Sequence, residues 1–201
     1  MSIPYFWYIR HSTNPKKGFS ILFIGVISSV LLINFNLAIL AGVMLLASIL
    51  LHANNALANF SFLFTFIILI NDAFSRLGEN LIENLLPITL VSGIFSLMMI
   101  GHWFLVDPTI SRDGMKNIAK SSIGIATILC SIILLGLFSN EISSLYRNII
   151  LGLYISSGIL SLGSLKSLNE KSYTGVMAAT GLSYLSLLVS LGGTGTLILL
   201  T

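Results

Sequence analysis

LLPITLVSGIFSLMMIGHWFLVDP, Leu85–Pro108, is the stretch that decides the fold, because no Asp, Glu, Lys or Arg occurs between Glu83 and Asp107. About 20 consecutive helical residues of this kind cross a hydrocarbon core of about 30 Å. A buried strand would be far shorter, and a soluble helix would show a polar face. The stretch therefore reads as a membrane span over 87–106, stopped by Asp107-Pro108.

Working outward, the same pattern recurs along the chain. Only 8% of the 201 residues are charged and 55% are apolar, with a mean hydropathy of +0.97, whereas soluble domains carry roughly 25% charged residues. Spans are expected at about 18–33, 37–52, 57–71, 87–106, 119–138, 147–165 and 174–200. The expectation is an all-α, polytopic bundle of about seven spans forming one membrane domain over 1–201, with 1–17 as an arm at the inner face. The run opening at Gly18 has no small-x-small cleavage site behind it and reads as a retained helix.

Between the third and fourth spans lies DAFSRLGENLIENLLP. At 100° per residue Asp72, Arg76, Glu79 and Glu83 fall on one stripe and Phe74, Leu77, Leu81 and Leu85 on the other, the pattern of an interfacial amphipathic helix over 72–86. Pro87 would then begin the next span.

Basic residues set the orientation. With the N-terminus inside, the inner segments hold Arg10, Lys16, Lys17, Arg112, Lys116, Lys120, Lys166 and Lys171, against Arg76 and Arg147 outside. That excess predicts a cytoplasmic N-terminus and an external C-terminus in a bacterial-type inner membrane. It also accounts for the net charge of +3 without nucleic acid, since scattered lysines make no phosphate-neutralising patch. Tyr5, Phe6, Trp7 and Tyr8 are expected to anchor the arm at the headgroups.

Small residues four apart, Gly25/Ser29, Ser92/Ser96, Gly152/Ser156, Ser157/Ser161, Gly175/Ala179 and Gly192/Thr196, predict close helix packing in lipid. Near the inner face the chain places His52 at the end of the second span and His102-Trp103 at the end of the fourth. Two imidazoles at similar depth on different helices are candidate axial ligands for haem b, or contacts for a quinone; His52, His102 and Trp103 are the candidate cofactor-binding residues. No third ligand accompanies them, so no metal is assigned. The inner loop VDPTISRDGMKNIAK has a turn signal at Asp113-Gly114, with Lys116 and Lys120 positioned for lipid headgroups.

The spans contain no Asp, Glu, Lys or Arg at their centres, which argues against ion-coupled transport and proton relays. No nucleophile elbow, HExxH or phosphate loop is present, so no catalytic residue is expected. The sequence therefore points to a non-catalytic subunit or accessory of a membrane complex, with the bilayer and other membrane subunits as partners. The alternative is a transporter or channel for a small neutral solute, lined by Tyr154, Ser156, Ser157, Ser161, Thr180, Ser183, Tyr184, Ser186 and Ser190.

Overall fold

The computed structural model describes residues 2–13, 17–33, 42–43, 55–77, 81–137 and 143–200, and among these all regular structure is helical. The helices are α1 (Ser2–Thr13), α2 (Lys17–Ile33), α3 (Asn55–Leu77), α4 (Leu81–Phe104), α5 (Arg112–Leu134), α6 (Ser144–Leu168) and α7 (Tyr173–Leu200). Four are long and apolar enough to cross a membrane: Asn84–Phe104 within α4, and the whole of α5, α6 and α7. The apolar parts of α2 and α3, Gly18–Ser28 and Asn59–Asn71, are shorter. The span expected at 37–52 lies outside the described residues except for Gly42 and Val43.

Short connections fold α4 to α7 into an antiparallel ring in which each helix packs on the next and α7 closes against α4. This is the up-down-up-down bundle topology. At the end formed by the α5 C-terminus and α6 N-terminus, Leu90, Ile94, Leu129, Ile150 and Tyr154 build one core cluster. Toward the other end, Leu97, Ile100, Ile118 and Val176 join Phe6, Ile9, Phe19 and Phe23 in a second. That second cluster ties the N-terminal helices to the bundle.

Local chemistry explains where the helices begin and end. Ser111 stands in extended conformation before α5 and its hydroxyl accepts from the Asp113 N–H, while the Asp113 carboxylate lies in the positive first turn. The Asp113-Gly114 pair expected as a turn is therefore the first turn of α5, started earlier than residue 119. At the far end Gly136 adopts φ 65°, with its N–H donating to Ile133 O and the Leu137 N–H reaching back to Ile132 O. That Schellman closure favours glycine, since an L side chain is strained there.

Two other expectations change. The amphipathic segment 72–86 is not a separate helix: α3 runs through to Leu77 and α4 already begins at Leu81. Pro87 lies inside α4, buried, rather than at its start. A helix in lipid keeps its form around proline because a broken helix would leave more backbone groups unpaired.

The N-terminal aromatic run also divides by helical face. Ile3, Phe6 and Ile9, three apart, point into the core at 3%, 1% and 0% exposure, whereas Trp7 is 45% exposed. Phe6 stacks on Phe23 at 4.9 Å and meets Phe62 at 5.2 Å. Pro4 is tolerated because a first-turn N–H has no intrahelical acceptor in any case. Ser2 and Ile3 share the wall of a cavity of about 570 Å³ with Ser92, Phe95, Leu187 and Leu191, so α1 reaches the middle of the bundle's length rather than lying across its end.

Candidate functional site

The ends of α1, α4 and α6 and the starts of α2, α5 and α7 meet at one end of the molecule, which gathers Arg10, Arg112, Lys116, Lys120, Lys166 and Lys171. The order follows from the two short connections, 105–111 and 169–172. In the first, Asp107 is 3% exposed and its Oδ1 accepts from the Thr109 hydroxyl at 2.6 Å and, more weakly, from the Thr109 N–H at 3.4 Å. This side-chain turn replaces the helix after Pro108. Arg112 then bridges to the second connection, donating to Glu170 O at 2.5 Å and Lys171 O at 3.1 Å. Its guanidinium lies 5.3 Å from the centre of the Phe104 ring, which itself faces Tyr173 at 6.2 Å. Planar charge, carbonyl oxygens and aromatic face suit one another, and a lysine would not reproduce the fork.

The sequence candidates sit beside this clamp. His102 is exposed on α4. Trp103, its neighbour, is half-buried and turned toward α2, with its ring centre 5.9 Å from that of Phe19 and a carbon 3.0 Å from where a Cβ on Gly18 would stand. Gly18 thus admits the indole. The Trp103 Nε1–H is buried without an acceptor. Adjacent in sequence, the two side chains leave α4 on different faces and do not face a common space. His52 lies outside the described residues. No cluster of three His, Cys, Asp or Glu suited to a metal exists among the described residues.

No family model, no curated protein and no solved structure matches this chain.

The serine-rich helices α6 and α7 bury their hydroxyls against one another. Ser157, Ser161, Ser164, Ser183, Ser186 and Ser190 are all at most 1% exposed. Ser186 Oγ donates to Ser157 O at 3.1 Å and lies 3.0 Å from Ser157 Oγ and 3.2 Å from Ser161 Oγ. Ser164 Oγ lies 3.2 Å from Ala179 O on the facing helix, and Tyr154 Oη lies 3.3 Å from Thr194 Oγ1. Of the candidates for a solute path, Tyr154, Ser157, Ser161 and Ser186 thus join α6 to α7, while Ser183 and Ser190 bond to carbonyls of their own helix, Thr180 O and Leu187 O. Ser156 and Tyr184 face outward instead. Of the small-residue pairs, Ser92/Ser96, Ser157/Ser161 and Gly175/Ala179 are buried, whereas Gly152/Ser156 is exposed.

Sequence reasoning missed a second polar contact, between α1 and α5. Asn117 Nδ2 donates to Tyr8 Oη at 2.7 Å, and Tyr5 is hydrogen-bonded to Ser121. Its hydroxyl lies 2.9 Å from where a Cβ on Gly93 would stand, so Gly93 makes room for it. The available signal was the three-residue spacing of Ile3, Phe6 and Ile9, which puts Tyr5 and Tyr8 together on a flank of one helix. Asn59 was missed as well; its Oδ1 is buried without a donor, and nothing in ANNALANF distinguishes it from its neighbours.

Proposed function

We propose that this chain is a non-catalytic subunit or accessory of a membrane complex. It threads the bilayer about seven times, α2, α3 and the 37–52 segment adding to the four long helices, with the basic end of the bundle, where α1 ends, facing the cytoplasm and its C-terminus outside a bacterial-type inner membrane. The observation that carries this reading is the use made of the bundle's interior hydroxyls. Ser186 bonds to both Ser157 and Ser161 across a buried helix interface, which supports a scaffold over a solute path. The gathering of six basic side chains at one end supports the orientation. The buried indole N–H of Trp103, unmatched by any acceptor, supports a ligand or subunit contact at that end, with His102 and His52 as candidate contacts to haem or quinone.

Purification of the full chain in mild detergent, followed by an absorbance spectrum, tests this. Stoichiometric membrane partners are expected; a Soret band that disappears in His102→Ala would add haem to the assignment. Recovery without partners, together with solute flux in vesicles that falls on Ser157 or Ser186 substitution, would replace the subunit reading with the transporter one. Cysteine-accessibility labelling that finds residues 10 and 147 on the same side of the membrane would overturn the orientation.

A further inference from the structure

Between α1 and α5, at the basic end of the bundle, lies a pocket of about 270 Å³ lined by Tyr5, Tyr8, Asn117, Ile118 and Ser121. It is small beside the roughly 300–1,000 Å³ of a site that encloses a whole ligand. Four of its five lining residues carry a hydroxyl or an amide, and Asn117 in its wall is exposed, as is Lys120 next to Ser121.

The polar groups of the wall are left with hydrogens to give. Asn117 Nδ2 donates to Tyr8 Oη at 2.7 Å, which leaves the Tyr8 hydroxyl hydrogen and the second Nδ2 hydrogen for another acceptor. Helical side chains lean toward the N-terminus, so the stem of Lys120 leads back toward Asn117 and carries its ammonium toward the membrane surface. α1 has no acidic residue and α5 has one, Asp113, whose carboxylate belongs to the helix cap, 3.5 Å from Ser111 Oγ. Lys120 stands about 12 Å along α5 from Arg112 at 1.5 Å per residue. That places a cation on the exposed face of a membrane helix with no counter-charge beside it on either helix.

Past the pocket the same stripe of α5 continues as Gly124 and Ile128. Gly124 is exposed, with open space where a Cβ would stand, and Ile128 is 50% exposed. Steps of three and four keep 117, 121, 124 and 128 on one face, so a hydrocarbon chain laid along it runs from the donors into the bilayer core.

We propose that this groove holds one anionic phospholipid, its phosphate at the pocket and an acyl chain along Gly124 and Ile128. Tyr8 and Asn117 donate to the phosphate oxygens and Lys120 balances the charge. A headgroup with its own ammonium or choline gains less, since no carboxylate lines the pocket to receive it. The site lies at a membrane face whichever way the chain is inserted, so it stands apart from the subunit reading, the orientation and His102.

The test uses the full chain, immobilised in mild non-ionic detergent, and measures binding of radiolabelled dioleoyl phosphatidylglycerol and dioleoyl phosphatidylcholine by scintillation proximity. Saturable binding is expected, with phosphatidylglycerol about fivefold tighter, the worth of one lysine at an anionic lipid. Lys120→Gln should bring the two lipids to equal affinity, and Tyr8→Phe should weaken both by roughly threefold through one lost hydrogen bond. Gly124→Leu should weaken both by standing in the chain's path, whereas Lys171→Gln, which removes a charge from the α6–α7 connection at the same end, should change neither. Equal affinities in the parent, discrimination that survives Lys120→Gln, or an equal loss on Lys120→Gln and Lys171→Gln would each overturn the proposal. Inorganic phosphate added at constant ionic strength should leave the lipid bound; displacement would make the free anion the occupant and overturn the lipid.

Discussion

The four-helix ring pairs its buried polar atoms more completely than the N-terminal layer does, where Thr65 bonds to Ser61 O but other buried polar atoms are unmet. Inside α4–α7 the buried serines and threonines bond along or across helices, as in Ser96 to Ser92 O at 2.7 Å and Ser186 to Ser157 O at 3.1 Å. In the N-terminal layer, Ser12 Oγ, Ser20 Oγ, Ser28 Oγ and Asn59 Oδ1 are buried and unpartnered, and Trp103, the fifth such residue, faces α2. The first region is assembled by its own contacts. The second holds together mainly through aromatic packing around Phe6, a form of cohesion that fixes position without pairing every polar group.

Substitutions can break that contrast. The largest effect is expected at Gly175, where an added Cβ would meet Ser167 O at 2.6 Å and Glu170 Cβ at 2.9 Å. Gly175→Val should cost about 3 kcal/mol of bundle stability, seen as loss of the folded population when the protein is titrated with SDS in mixed micelles. Next comes Phe6→Ala, which removes the ring at the centre of the aromatic contacts. It should weaken docking of α1 by about 3 kcal/mol while leaving α4–α7 in place, so proteolysis within the first 16 residues rises and the SDS midpoint moves little.

Smaller substitutions sharpen it. Ser186→Ala takes away the hydroxyl shared by Ser157 and Ser161 and should cost about 1 kcal/mol, within the range for helix-to-helix hydrogen bonds in membranes; the same SDS titration measures it. Ser28→Ala deletes an oxygen that bonds to nothing, so its effect should stay within about 0.5 kcal/mol of zero. If Ser28→Ala proved as costly as Ser186→Ala, the two regions would not differ in the way described.

Much of the helical architecture was legible because hydrocarbon leaves the backbone few options. A run such as Leu85–Val106 has to satisfy its N–H and C=O groups internally, and the four long helices fall where their apolar runs are. The pairs Ser157/Ser161 and Gly175/Ala179 were likewise readable as packing surfaces, since small residues four apart bring backbones together. Helix ends were less legible. Asp113-Gly114 reads as a turn until the Ser111 cap is seen to recruit it, and Asp72 to Leu86 reads as one amphipathic helix although the chain divides it between α3 and α4. At the candidate site, periodicity placed His102 and Trp103 near one end of α4 but carried no information on which way each would leave the helix.

By itself, then, the sequence determined that this is a helical membrane chain with its positive charge concentrated at one end, because apolar length and Lys/Arg placement act locally and need no partner. Only the tertiary structure decided that α1 enters the core instead of lying at its edge, that the serines of α6 and α7 face each other, and that Asn59 lines a pocket walled by aromatic rings. Those outcomes depend on which helix face meets which neighbour, a relation between residues as far apart as Tyr8 and Asn117 that no local pattern contains.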